Sequence, residues 1–148
     1  MALEGSKVRD VIELKIPSAP EYIRLARLTL AGIGSQLQLS FDEIEDLKIA
    51  VAEACTNALL YGSQNNRQEE IIIRYLIEDN KLTISVLDNG SGFDCSEIAV
   101  PNPEDLTPGG LGLFLIKALV DEVNILGCPE RGTEVTMVKY LSEGRANV

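Results

Sequence analysis

An aspartate and two glycines follow an apolar segment that ends at Leu87. Asp88, Gly90 and Gly92 alternate with other residues in the sequence Asp-Asn-Gly-Ser-Gly. Glycines at this spacing let the backbone approach a flat ligand closely, while the carboxylate accepts a hydrogen bond from the edge of that ligand. Asp-Asn-Gly is also a strong turn signal, but no segment of alternating polar and apolar residues follows Gly92. The sequence therefore leaves two interpretations open, a ligand-binding strand end and a simple turn.

A second glycine-rich segment, Pro108–Leu113, precedes residues with helical periodicity. Glycines at a helix N-terminus expose amide N–H groups, and the helix dipole adds partial positive charge there, so the segment is suited to phosphate groups. It lacks the Gly-Lys-Ser/Thr ending of a P-loop and does not follow a strand closely. Neither a P-loop nor a dinucleotide-binding motif is therefore supported.

A carboxylate and a carboxamide stand four residues apart in a segment of helical periodicity. In a helix, Glu53 and Asn57 would lie on one face with Cβ atoms about 5–6 Å apart. Their neighbours on that face are Ile49, Ala50 and Leu60, so the face is typical neither of a core nor of a solvent-exposed surface. A solvated glutamate beside an ordinary edge asparagine is the alternative for this pair taken alone.

The elements that must position these residues can be predicted from periodicity and capping signals. Alternating apolar residues predict a strand over 12–16, and Ser18 with Glu21 predicts a capping box for a helix that runs to about Gln36. A similar signal at Leu39–Glu43 predicts a second helix that ends near Tyr61–Gly62. The remaining predicted elements are two hairpin strands (71–77 and 82–87), a long loop (88–110), a helix (111–120) and two final strands (123–125 and 134–140).

This order predicts an α+β fold. Strands arrive in hairpins while helices cluster, so we expect a two-layer α/β sandwich with a mixed, largely antiparallel sheet and helices on one face. The 148 residues correspond to the length of one domain. A loop of about 20 residues within such a domain usually has a function, such as covering a ligand.

Composition excludes several classes of function. The net charge of −10 and the pI of about 4.4 make nucleic acid and anionic membranes unlikely partners. The chain contains no histidine, which excludes Ser-His-Asp and Cys-His nucleophilic systems and histidine autophosphorylation on this chain. The three cysteines, Cys55, Cys95 and Cys128, indicate neither a disulfide framework nor a zinc site. Because no apolar run is long enough to span a membrane and no secretory signal is evident, we expect a cytoplasmic protein.

The helical segment with Glu53 and Asn57 comes first along the chain, followed by the segment that begins at Asp88 and then by the glycine-rich segment Pro108–Leu113. With its motifs in this order, the chain resembles the ATP-binding domain shared by DNA gyrase B, Hsp90 chaperones, histidine kinases and MutL. Within this superfamily, the segment Asp42–Ala58 is most similar to the bacterial anti-sigma factor serine kinases of the RsbW and SpoIIAB type. The resemblance covers about Ile12 to Leu141. It implies a Bergerat, histidine-kinase-like ATPase fold, with residues 1–148 as a single ATP-binding kinase domain.

The resemblance also implies roles for individual residues. Glu53 matches the general base for an attacking hydroxyl, and Asn57 matches the residue that coordinates Mg²⁺ beside the phosphates of ATP. Asp88 matches the aspartate that receives the adenine amino group, and Thr133, in Gly132-Thr133, matches a threonine that supports this recognition. Arg27 matches an arginine that touches protein partners, although it could equally be a solvated helix residue. The implied glycine-segment contacts are Gly90 and Gly92 at the base, and Gly110, Leu111 and Gly112 at the phosphates.

The implied function is an ATP- and Mg²⁺-dependent serine/threonine protein kinase and anti-sigma factor. Its partners would be a STAS-type anti-anti-sigma protein and a sigma factor, and it would form a homodimer. Two alternatives stay open: a stressosome-type switch kinase without a sigma partner, and a nucleotide-gated binding module that transfers no phosphate. The second is favoured by the segment 93–109, which contains acidic residues but no Lys or Arg, so that Lys117 or Arg131 would have to supply a cation.

Overall fold

A five-stranded sheet and three α-helices make up most of the described residues. The computed structural model describes residues 8–62, 66–88, 108–128 and 132–142. The strands are β1 (Val8–Pro17), β2 (Glu70–Glu78), β3 (Lys81–Asp88), β4 (Glu122–Cys128) and β5 (Gly132–Tyr140), and the helices are α1 (Ile23–Gln36), α2 (Phe41–Asn57) and α3 (Pro108–Leu119). No helix in these ranges is both long enough and apolar enough to cross a membrane.

The sheet has the order β1-β2-β3-β5-β4, and every described pairing is antiparallel. The predicted sandwich is therefore confirmed, whereas the mixed sheet is corrected to an antiparallel one. The connection between β2 and β3 is only two residues long, and neighbouring strands joined by a short turn must run in opposite directions.

The core lies between the helices and one face of the sheet. Buried residues alternate along the strands, as with Ile71, Ile73 and Tyr75 in β2, and these side chains pack with the apolar stripes of the helices. We call this the inner face. The opposite, outer face carries the intervening residues, most of which are partly or fully exposed; Ser85, Glu78 and Gly132 are the buried exceptions in the described strands. A ligand-binding site between the sheet and the helices would therefore be lined by inner-face residues of the strands.

The start of α2 confirms the local prediction, whereas the start of α1 does not. Ser40 caps α2: its Oγ accepts a hydrogen bond from Glu43 N at 3.1 Å, and Ser40 N donates to Glu43 Oε1 at 2.8 Å. Ser18 does not cap α1, whose N-cap position is Tyr22; it is buried beside the end of β1, where its backbone N–H donates to Glu69 O. A 3₁₀ turn at Pro20–Tyr22 precedes α1 instead, and no side chain caps either element.

Other element boundaries shift by a few residues. The α-helical winding of α2 ends at Asn57, and a π turn continues to Gly62, which agrees with the predicted end of the helical segment. Helix α3 begins at Pro108, three residues earlier than predicted, because proline is well tolerated in a first turn. Residues 89–107 of the predicted loop lie outside the described residues.

Candidate functional site

Helix α3 contacts helix α2 where Gly112 faces the two polar side chains. A Cβ atom placed on Gly112 would lie 3.0 Å from Glu53 Oε1, 3.2 Å from Asn57 Nδ2 and 3.4 Å from Asn57 Oδ1. These distances are tighter than ordinary van der Waals contact, so the absence of a side chain at 112 allows this approach. The structure therefore brings three predicted site residues, from two separate segments, to one place.

Asn57 is polar and almost completely buried. Its side chain is only 4% exposed, and its Nδ2 has no hydrogen-bond partner among the described residues. A buried amide group without a partner is unfavourable by about 1–3 kcal/mol. An amide held in this way can offer either a donor or, after a half-turn of its plane, an acceptor to a ligand. The position fits a polar ligand between α2 and α3.

Asp88 and Thr133 meet at one end of the sheet. Leu87 of β3 pairs with Glu134 of β5, so the antiparallel register brings the next residue of β3, Asp88, beside the preceding residue of β5, Thr133. Both side chains belong to the inner face, because the paired neighbours belong to the outer one, and they are only 5% and 4% exposed. A carboxylate and a hydroxyl are thus adjacent at the end of the sheet where β3 ends and β5 begins.

Two backbone features shape the surroundings of these residues. Gly132, directly before Thr133, has a φ of 77°, a conformation that favours glycine over other residues. The π turn that follows Asn57 packs against β3 and β5. The turn therefore lies between the end of α2, which carries Asn57, and the strands that carry Asp88 and Thr133. This packing keeps these polar side chains in one region of the fold.

A groove between α1 and α2 reaches Glu53 from the protein surface. It has a volume of about 550 Å³. Arg27, the predicted partner-binding residue, lines it together with Glu53. Its lining also includes Arg24, Leu28, Glu45, Lys48, Ile49 and Ala52. Arg27 and Glu53 are 26 residues apart in the sequence, and the packing of α1 on α2 places them along one groove.

The position of α1 in this groove depends on a buried hydrogen bond. Tyr75 of β2 donates its hydroxyl to the carbonyl oxygen of Ala26 at 2.8 Å. Burial raises the pKa of Tyr75, so the hydroxyl stays protonated and remains a donor. Since Ala26 precedes Arg27, the bond fixes the turn of α1 that carries this arginine.

Several residues of the predicted site have other locations. Lys117 is exposed in the last turn of α3, and five residues correspond to about 140° around a helix, so it faces away from the contact made by Gly112. Gly110 and Leu111 belong to the first turn of α3. Gly90, Gly92 and Arg131 lie outside the described residues.

Sequence reasoning missed two residues that the structure adds to the groove. Arg24 and Lys48 line the groove beside Arg27, but each resembles an ordinary surface cation in the sequence. Lys48 forms an ion pair with Glu45 at 3.0 Å. Arginine recurs three residues after Arg24, a spacing that puts both cations on one side of a helix, and this is the signal that could have found Arg24.

The comparisons with known proteins agree with this geometry. The model of the histidine kinase-like ATPase domain family matches residues 16–139. The crystal structure of the RsbU and RsbW domains of Rv1364c from Mycobacterium tuberculosis superposes with a TM-score of 0.67 at 20% identity, covering 89% of this chain and 32% of that one. The histidine kinase domain of the Erythrobacter litoralis EL346 blue-light activated histidine kinase superposes with a TM-score of 0.58 at 18% identity, covering 98% and 72%. This chain thus spans about a third of the Mycobacterium chain, and both likenesses establish the fold of a histidine kinase-like ATPase.

Sequence relatives define the group more narrowly. The serine-protein kinase RsbW of Bacillus subtilis (strain 168) is 40% identical over 146 residues, which cover 93% of this chain and 90% of that protein. The serine-protein kinase RsbW of Listeria monocytogenes (serovar 1/2a) is 42% identical over 144 residues, which cover 92% and 90%. The chain belongs to the RsbW family of serine-protein kinases, within the histidine kinase-like ATPases, and its family uses ATP.

Proposed function

We propose that the chain transfers the γ-phosphate of Mg²⁺-ATP to a serine or threonine of a STAS-type anti-anti-sigma protein, and that it holds a sigma factor inactive. Phosphorylation of the first partner decides which of the two is held. The observation that carries the proposal is the contact of Gly112 with Glu53 and Asn57, because it puts a carboxylate, an amide and a glycine-rich helix start in one place within a kinase family fold.

The adenine end of the nucleotide is assigned to the end of the sheet. Asp88 accepts a hydrogen bond from the adenine amino group, and Thr133 supports it from the neighbouring strand. The buried, adjacent positions of these two residues support this assignment, since a hydrogen bond to a charged carboxylate is stronger when water is excluded. Guanine presents a carbonyl oxygen where adenine has its amino group, so Asp88 would select against guanine. Gly90 and Gly92 border the base.

The phosphate end is assigned to the start of α3 and the end of α2. Amide groups of Gly110, Leu111 and Gly112 bind phosphate oxygens with the help of the helix dipole. Asn57 offers its amide oxygen to Mg²⁺, whose charge would offset the phosphates in an acidic protein. The buried, incompletely paired amide of Asn57 fits this role.

Glu53 is assigned as the general base. It lies beside Gly112 and lines the groove that opens to the surface, so an acceptor hydroxyl that enters the groove would meet its carboxylate. Glu53 orients or accepts the proton of this hydroxyl while its oxygen attacks the γ-phosphorus, the bond from that phosphorus to the bridging oxygen breaks, and ADP leaves. A general base of this kind contributes about 10²–10⁴-fold to the rate.

The groove between α1 and α2 is assigned to the partner protein. A second copy of the chain is a further partner. Arg27 contacts the partner protein at the exposed wall of the groove. A homodimer located in the cytoplasm completes the proposal.

The test is phosphate transfer from labelled ATP to a STAS-type protein. Glu53→Gln should lower the transfer rate by about 10²–10⁴-fold while ATP still raises the melting temperature of the variant. Asp46→Asn is the matched control, because Asp46 is an exposed carboxylate of the same helix outside the groove. Transfer that is unchanged in Glu53→Gln would contradict the assignment of the base.

A binding module that is gated by nucleotide and transfers no phosphate is the second candidate. It is favoured by the segment 93–109, which contains no Lys or Arg to contact the terminal phosphates. In this case the wild-type chain would bind ATP and partner, no labelled phosphate would reach the partner, and Glu53→Gln would retain the partner.

A further inference from the structure

Two cavities lie side by side between α1 and α2, and the same two arginines line both. Arg24 and Arg27 line the groove described above and also a second cavity of about 440 Å³. The groove extends to Leu28 of α1 and to Glu45 near the start of α2. The second cavity extends the other way, to the 3₁₀ turn before α1 and to Thr56 near the end of α2. The two helices therefore run in opposite directions, and Arg24 is nearer than Arg27 to the end of α2.

The two arginines carry positive charge that no described carboxylate neutralises. Arg24 and Arg27 are exposed, and neither forms an ion pair with a described residue. Lys48, the third cation of the groove, is instead paired with Glu45 at 3.0 Å. Glu53 lines the same groove and, within the described part of the chain, also has no ion pair. In a chain with a net charge of −10, such cations beside the proposed general base indicate an anionic ligand.

Arg24 occupies a position in α1 where its charge does not stabilise the helix. It is the second residue of this helix, and the helix dipole disfavours a cation in a first turn. The acidic residue closest to it along the chain, Glu21, is already paired with Arg67 at 2.7 Å. Neither helix stability nor an ion pair with a described residue therefore accounts for an arginine at this position.

The proposed reaction needs a cation that the start of α3 does not supply. The segment 93–109 contains no Lys or Arg, and Lys117 of α3 is exposed in the last turn of that helix. The γ-phosphate and the carboxylate of Glu53 are both negative, and the attacking hydroxyl has to lie between them. Enzymes that transfer phosphoryl groups act mainly by positioning the reactants and by offsetting negative charge of this kind.

We infer that Arg24 is a further catalytic residue, whose guanidinium group contacts the γ-phosphoryl group during transfer. Helices in contact have axes about 8–10 Å apart, so an arginine of α1 can reach across the groove to the face of α2 that carries Glu53. A guanidinium group binds two phosphate oxygens at once, which an ammonium group cannot do with the same geometry. The inference rests on the proposed function, because it requires the phosphates to lie between the end of α2 and the start of α3.

Arg24 takes part in the transfer step without exchanging a proton or an electron. The acceptor oxygen forms a bond to the γ-phosphorus, and the acceptor proton passes to Glu53. The bond from the γ-phosphorus to the bridging oxygen breaks, and ADP leaves with the electron pair of that bond. Arg24 donates hydrogen bonds to non-bridging oxygens of the transferred group, and its charge stabilises the transition state more than the bound ATP.

The two arginines of α1 thus have different roles. Arg27 lies further from the end of α2 and contacts the partner protein, as proposed above, so its loss should raise the KM for that protein. Arg24 acts on the transferred group, so its loss should lower kcat. The contrast between kcat and KM therefore separates a catalytic role from a role in docking.

The test measures phosphate transfer from labelled ATP at several concentrations of a STAS-type protein, with the full chain. Arg24→Gln should lower kcat about 10²–10³-fold, as the loss of a group that stabilises transition-state charge does, with the KM for the STAS-type protein unchanged. Arg24→Lys should recover part of the rate, because it restores the charge but not the paired hydrogen bonds. Arg74→Gln is the matched control, since Arg74 is an arginine of the outer face that pairs with Glu13.

Nucleotide binding without the partner gives a second readout. Only ATP carries a γ-phosphate, so isothermal titration of Arg24→Gln should show unchanged affinity for ADP. Its affinity for ATP should fall by about 2- to 5-fold, the effect of one exposed charge pair. Arg74→Gln should bind both nucleotides as the wild type does.

Each other outcome overturns the inference. A raised KM for the STAS-type protein with unchanged kcat would make Arg24 a docking residue like Arg27. Transfer that is lost in Glu53→Gln but kept in Arg24→Gln would remove the inference and leave the proposed function intact. A wild type that transfers no phosphate would remove both.

Discussion

Gly112 of α3 faces the buried amide of Asn57 at the end of α2. The Cβ position of Gly112 is 3.2 Å from Asn57 Nδ2 and 3.4 Å from Oδ1. Two helices can come this close at polar side chains only where one of them has no side chain of its own. The relationship makes Gly112 the residue that determines how near the start of α3 lies to the proposed phosphate and metal site.

We expect Gly112→Val to abolish ATP-dependent stabilisation and Gly112→Ala to weaken it. Added side-chain atoms at 112 would displace Glu53 or Asn57 and move the amide groups of α3 away from the phosphates. The measurement is the shift of melting temperature with Mg²⁺-ATP, which ligand binding to the native state raises. Gly32→Ala is the matched control, because no atom lies within 4 Å of a Cβ at this position of α1; it should retain ATP binding and gain up to about 1 kcal/mol in stability. Full ATP binding by Gly112→Val would contradict the proposed site.

Asp88→Asn should weaken ATP binding by about 10- to 100-fold. The substitution replaces a charged acceptor with an amide of nearly the same shape, and hydrogen bonds to charged groups contribute about 1.5–3 kcal/mol. Isothermal titration with ATP and GTP measures the effect. The wild type should prefer ATP, and the variant should lose much of this preference. Equal affinities of wild type and variant for ATP would remove Asp88 from adenine recognition.

Tyr75→Phe should lower the free energy of unfolding by about 0.5–1.5 kcal/mol. The substitution removes the buried hydrogen bond from the Tyr75 hydroxyl to the carbonyl of Ala26, and a net intramolecular hydrogen bond contributes about this amount. Urea denaturation checks the value. Tyr140→Phe is the control: Tyr140 is 45% exposed and hydrogen-bonded at the surface, so its removal should change stability by less than about 0.5 kcal/mol. Similar losses of unfolding free energy in the two variants would mean that the buried hydrogen bond to α1 stabilises the fold no more than the exposed bond of Tyr140 does.

Cys55 should resist thiol reagents until the chain unfolds. Burial raises the pKa of its thiol to about 12, so at pH 8 the thiolate fraction is about a thousandfold smaller than in the unfolded chain. Because the unfolded thiol ionises at a lower pH than the folded one, this group makes the free energy of unfolding fall as pH rises from about 9 toward 12. Labelling with iodoacetamide in a Cys95→Ser, Cys128→Ser background isolates Cys55. Rapid labelling of the native chain would contradict its burial.

Features that depend on neighbours in the sequence were predictable. Ser40 and Glu43 form the predicted capping box because both partners lie within one turn of the same helix. The stripe of Glu53 and Asn57 follows from 3.6 residues per turn alone. The prediction that Ser18 caps α1 was wrong, although its sequence context matches a cap. Its backbone is hydrogen-bonded to Glu69 at the end of β1, and no local pattern can reveal a contact between residues 51 positions apart.

The sequence by itself determined the type and order of the elements, the residues whose side chains could bind or catalyse, and the family resemblance. These features could be predicted because periodicity, capping and motif order are properties of short segments. Only the tertiary structure decided which of these residues meet. Strand register made Asp88 a neighbour of Thr133, and helix packing brought Gly112 against Asn57. Such contacts depend on how distant segments pack to bury a shared core, and the free energy of that packing belongs to the whole chain rather than to any segment of it.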